Sequence, residues 1–90
     1  MQITIGYYKY RFKNYYFIQP PNSLTFSNLS CREATKVLEH VLWEHRFANV
    51  ELQLTDVSPD DAEVFQSRVD AHNREVDQNI AKARAEEGIE

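Results

Sequence analysis

Residues 2–19 are dense in β-branched and aromatic side chains set among polar ones, a pattern that suits a pleated, half-buried surface and predicts a β-hairpin. Ile3 and Ile5 share one parity, whereas Tyr8, Tyr10 and Phe12 continue on the other. A one-residue bulge near Gly6 would account for the change. Lys13-Asn14 is the expected tight turn, because Asn tolerates positive φ, and residues 15–19 form the return strand. Pro20-Pro21-Asn22 stops that strand, and Leu24, Thr25 and Phe26 offer a short third one.

The period then changes from two to 3.6. Ser30-Cys31-Arg32-Glu33 reads as a capping box, in which the Ser30 hydroxyl and the Glu33 carboxylate satisfy each other's orphaned backbone donors. Ala34, Val37, Leu38, Val41 and Leu42 follow at helical spacing with His45 on the same side, so a helix is predicted to end near Phe47-Ala48-Asn49. Val50, Leu52 and Leu54 alternate with Glu51, Gln53 and Thr55 as in a half-exposed strand. A second helix opens at Ser58-Pro59-Asp60-Asp61, with serine at the cap, proline at the first helical position and acids at the positive end of the helix dipole.

Ala62, Phe65, Val69, Val76, Ile80 and Ala83, with His72 between them, carry this helix to about Glu87, and Gly88 is its expected stop. Such a helix is roughly 40 Å long, more than a domain of this size covers, so residues from about 78 to 90 should project, pair with another chain or fray. The predicted architecture is one α+β domain over residues 1–90. It has a small, mostly antiparallel sheet, a hairpin plus one or two further strands, and two helices of which the C-terminal one is long.

Composition narrows the function. With 90 residues, 42% hydrophobic and 27% charged, the chain is long enough for one ordinary globular core and too short for a deep active site. No stretch approaches the roughly 20 apolar residues that span a bilayer, and the first residues lack a signal-peptide pattern, so a cytoplasmic protein without membrane contact is expected. The single cysteine, Cys31, allows no internal disulfide, which fits a reducing compartment. The net charge of −4 conceals a gradient. Residues 1–30 carry Lys9, Arg11 and Lys13 and no acid, whereas residues 51–90 hold eleven acids against four bases.

No catalytic or metal signature emerges, and no cofactor is expected. His40 and His45 are five apart and diverge on a helix, His40 and Glu44 make only a two-ligand pair, and Gly6 and Gly88 cannot form a phosphate loop. Cys31 near a helix start either has a lowered pKa or packs as a small residue. Two surfaces carry binding chemistry. One is the basic aromatic stretch with Tyr8, Lys9, Tyr10, Arg11 and Lys13, which offers stacking and phosphate contacts to single-stranded nucleic acid. The simpler reading buries Tyr8, Tyr10 and Phe12 as core and leaves the cations in solvent. Net charge also stands against nucleic acid.

The other surface is the second helix, where Glu63, Asp70 and Asp77 fall at sevenfold spacing below Asp60 and Asp61 and form a carboxylate line, interrupted by Arg74. Its plain alternative is a solvated face. Trp43 lies opposite the apolar stripe of its helix, either covered by the second helix to complete the core or exposed as an interface anchor.

The leading expectation is therefore a small acidic, non-enzymatic binding protein that inhibits or regulates a larger macromolecular machine through a partner's basic surface or groove, using Glu63, Asp70, Asp77, Asp60 and Trp43. Compact acidic α+β proteins of this type include phage-encoded anti-defence inhibitors such as anti-CRISPR proteins, and immunity proteins that neutralise toxins. The comparison is one of type alone, with no shared motif and no residue carried over. The alternatives are a structural subunit that forms a homodimer through the near-heptad stripe Phe65, Val69, His72, Val76 and Ala83, and a single-strand nucleic-acid module built on the hairpin.

Overall fold

A computed structural model describes residues 1–86. The elements run β1 (Gln2–Tyr10), β2 (Lys13–Gln19), β3 (Phe26–Leu29), α1 (Cys31–Glu44), β4 (Glu51–Thr55) and α2 (Pro59–Glu86). The strands form one sheet in the order β3-β2-β1-β4, antiparallel except for the parallel β1–β4 pair. The fold is α+β, with a mixed sheet of four strands and two helices, the second of them long. Helix α1 carries the chain from the β3 edge to the opposite edge, where β4 enters beside β1.

Ile3 and Ile5 of β1 and Tyr16 and Ile18 of β2 project from one face and are almost completely buried against Ala34, Leu38, Val41 and Leu42 of α1 and Phe65 and Val69 of α2. Tyr7 has the same parity and packs against this core, its ring stacked on that of Tyr16 at 4.6 Å. Helix α1 begins as its sequence dictates. Ser30 Oγ accepts from the Glu33 amide at 3.2 Å and Glu33 accepts from the Ser30 amide at 3.1 Å.

Several local expectations change. Pairing is continuous from Thr4↔Gln19 to Tyr10↔Lys13, so no bulge interrupts β1 at Gly6. The two parities of apolar residues in β1 correspond instead to its two faces. Gly6 lies under the ring of Phe17, and a Cβ there would collide with Phe17 Cε1 unless that ring moved aside. The irregularity falls between β2 and β3, at Tyr16/Ile18, next to Asn28 with its φ of 59°.

The hairpin turn is Arg11-Phe12, enclosed by the Tyr10↔Lys13 pair, and not Lys13-Asn14. Both turn residues have positive φ, 49° and 68°, as a two-residue turn matching the strand twist demands. The third strand starts at Phe26, where residues 24–26 were expected to supply it.

Helix α1 stops at Glu44, before the expected 47–49, because α2 holds the next six residues in another conformation. His72 Nε2 donates to the Ala48 carbonyl at 2.8 Å, and Asn79 Nδ2 donates to that of Arg46 at 3.1 Å. The Asn73 amide bridges both backbone groups of Val50, accepting from its N–H and donating to its C=O at 2.8 Å each. One side chain thus supplies the pair of bonds that a neighbouring strand would give.

Phe65, Val69, His72 and Val76 of α2 are buried inside the protomer, whereas Ala83, the last residue of the stripe considered for dimer pairing, is half-buried. At 28 residues α2 is about 42 Å long, and the molecule extends 55 × 24 × 19 Å. The helix is continuous to Glu86, and the stop expected at Gly88 lies outside the described residues.

Candidate functional site

Because both helices pack on one face of the sheet, the other face is open, and β-strand parity places Tyr8 and Tyr10 of β1 and Lys13, Tyr15 and Phe17 of β2 on it. Tyr8 and Tyr10, with Phe12 in the turn beyond them, are therefore not the core that the simpler reading of the sequence made them. The rings of Tyr8 and Tyr15 are 5.9 Å apart and those of Tyr8 and Phe17 6.2 Å. Tyr8 is fixed across the sheet by Asn28, donating to its Oδ1 at 2.5 Å and accepting from its amide at 2.8 Å. Tyr10 is 53% exposed, with the Arg11 guanidinium 5.3 Å from its ring centroid. Phe12, at the apex, is 95% exposed. Lys9 has the helix-side parity but is also exposed, so the three cations of the first 30 residues gather at the hairpin end.

The second surface is α2. Asp60, Glu63, Asp70 and Asp77 are all exposed, and among the described residues none of them is in an ion pair. Asp70 accepts from Gln66 Nε2 at 2.9 Å within the same helix. Asp61 leaves the line and turns inward to Tyr16 and Cys31. Helical geometry separates the carboxylate line from Arg68, Glu75 and Lys82 by about 140°. The latter flank borders α1, where Arg68 pairs with Glu39 at 2.8 Å.

Trp43 stands on that α1 flank. It is therefore not part of the acidic line it was grouped with. It is also not covered by α2, being 62% exposed. The cause is local: α1 ends one residue later, and Arg46 folds back so that its guanidinium lies 4.2 Å from the Trp43 ring centroid and 4.7 Å from that of Phe47, while Nη1 donates to the Trp43 carbonyl. Shallow grooves of about 230 and 270 Å³ lie on either side of this stack, one toward Lys82 and Ala83, the other toward Leu42 and Ala71.

Around Asp61 the chemistry is that of a clasp. The buried Tyr16 hydroxyl donates to Asp61 Oδ2, and Cys31 Sγ donates to Oδ1 at 3.6 Å. Burial first, then the Asp61 carboxylate, hold the phenol protonated well above the ordinary tyrosine range. The same causes raise the Cys31 thiol, opposite to the lowering that a helix start by itself would produce. His40 Nε2 lies 2.7 Å from Glu44 Oε1, so these side chains face each other. Among the described residues no three His, Cys, Asp or Glu side chains form a metal-ligand group, and no helix is long and apolar enough to cross a membrane.

Sequence reasoning missed Tyr15 and Phe17 as surface residues, and also the Trp43–Arg46–Phe47 stack. The parity of Tyr15 and Phe17 with Tyr8 and Tyr10 was available, because a turn displaced by two residues leaves the faces unchanged, but the plain reading assigned that parity to the core. No known protein family, curated protein or solved structure matches this chain.

Proposed function

We propose that the protein is a non-catalytic binding domain that regulates or inhibits a larger macromolecular machine by laying the acidic flank of α2 into a basic groove of a protein partner. The observation that carries this reading is the line Glu63, Asp70 and Asp77, exposed on a rigid helix and unpaired by any cation among the described residues. Unneutralised charges at fixed spacing contribute little to folding, whereas against a cationic surface they steer association and set register. Shape supports the same reading, because a helix of about 42 Å on a body 24 Å across offers a long, narrow edge that suits a groove. Anti-defence and immunity proteins are the type of regulator meant.

The test is affinity capture from native lysate with nuclease present, comparing the wild-type chain with Glu63→Lys/Asp70→Lys/Asp77→Lys. A stoichiometric protein recovered by the first and lost by the second, with both chains folded by circular dichroism, is the expected result. Equal recovery by both would remove the α2 flank from the interface.

A further inference from the structure

We infer that the helix-free face of the sheet is a binding site for single-stranded nucleic acid, with bases stacked on Tyr10, Tyr15 and Phe17 and phosphates held by Arg11 and Lys13 at the hairpin end. This surface is separate from the α2 flank and does not rest on its function.

Four features point to this ligand. First, the face lacks a covering layer yet is aromatic, whereas an antiparallel sheet with a solvated face ordinarily alternates apolar-in with polar-out. Planar rings on such a face stack unpaired bases of any sequence. Second, its charge has one sign where the rings are. No acid occurs in residues 1–30, and the one acid of matching parity on β4, Glu51, stands opposite Gln2 at the far end of β1. Residues 1–30 carry three bases and no acid, and the fourteen acids and seven bases of the rest of the molecule bring the net charge to −4. Third, around the rings the face carries neutral donors and acceptors, Thr4, Gln19 and Gln53, the groups that read base edges.

The fourth feature is the turn. Arg11 and Phe12 are held at positive φ, where residues with a Cβ are disfavoured, and Phe12 gains almost no burial in return. Neither residue is explained by folding, and both are explained by a ligand that needs a cation and an aromatic ring at that corner. A duplex would not satisfy the site, since its bases are already stacked and a flat four-stranded face enters neither groove. A membrane would use the apex alone and leave Tyr15 and Phe17 without a role.

The experiment is fluorescence anisotropy of labelled oligothymidylate and oligouridylate of about ten nucleotides with the full chain, over a range of sodium chloride concentrations. Binding of one or both is expected, with a log–log salt slope of roughly −1.4, the value for about two cations on a single strand. The two oligonucleotides separate DNA from RNA as the source of the ligand. Tyr10→Ala should weaken binding roughly tenfold, and Arg11→Glu/Lys13→Glu should abolish it. All three side chains are exposed, so the fold persists, as circular dichroism would verify. Glu63→Lys/Asp70→Lys/Asp77→Lys should retain binding, which keeps this site distinct from the α2 flank.

The inference is overturned by any of four results: no binding of either oligonucleotide at low salt, affinity unchanged in the hairpin variants, equal affinity for a duplex of the same length, or binding to phosphatidylserine vesicles without binding to the oligonucleotides.

Discussion

Replacing Arg11 with Asn and Phe12 with Gly should make the protein more stable while removing its most exposed aromatic residue. Both native residues occupy the left-handed region, at φ 49° and 68°, where an L-residue with a Cβ loses about 1–2 kcal/mol. Asn-Gly is the pair that a turn of this geometry favours. Glycine restores some unfolded-state freedom, which offsets roughly 0.5–1 kcal/mol of the gain. Phe12 contributes almost no burial to be lost, since it is 95% exposed. The net expectation is about 1–2 kcal/mol of added stability, equivalent to a rise in Tm of roughly 5–12 °C for a domain of this size. Thermal and urea unfolding followed by far-ultraviolet circular dichroism measure it directly. An unchanged or lower Tm would show that the Arg11-Phe12 turn is unstrained. The structural part of the case for a ligand at the hairpin end would then fail.

Trp43→Ala should cost less than about 1 kcal/mol, the range of an exposed cation–π contact, and not the 3–5 kcal/mol of a core tryptophan; urea unfolding decides between the two. Tyr16 governs alkaline stability. Its folded pKa is raised by burial and Asp61 above the unfolded value near 10, so above that pH the unfolded chain loses a proton that the folded chain keeps. Stability is therefore full below about pH 10 and falls as pH rises further. Tyr16→Phe should flatten that fall and lower stability near neutrality by roughly 1–3 kcal/mol through the lost hydrogen bond to a carboxylate, as paired urea titrations at neutral and alkaline pH would measure.

Elements whose signals are local were legible in the sequence. The Ser30–Glu33 capping box starts α1 and the Ser58-Pro59 pair starts α2 where their residue types require. The alternation around Leu52 and Leu54 yields β4. Features decided by tertiary partners were hidden. Arg11-Phe12 lacks turn chemistry, and only the pairing of Tyr10 with Lys13 forces it to bend. The early end of α1 depends on His72, Asn73 and Asn79, whose bonds reach back 23 to 33 residues. Of the site residues, the acidic flank followed from helical spacing alone. The aromatic face did not, because alternation shows which side chains share a face but not which face is covered, and only the packing of both helices on Ile3, Ile5, Tyr16 and Ile18 decides that.

The parallel pairing of β1 with β4 also has a kinetic side. Gln2 meets Glu51 roughly fifty positions along the chain, so this pair closes a long loop, whereas the β1–β2 hairpin closes over two residues. The hairpin and the two capped helices are then the early structures, and the edge strand docks late, once α2 has brought Asn73 to Val50. Substitutions at the hairpin should act on the folding rate, and those at Asn73 mainly on the unfolding rate. Loss of the late strand would bare the long edge of β1, an invitation to pair with another chain, so that the side chain fixing Val50 also protects the protein from aggregation.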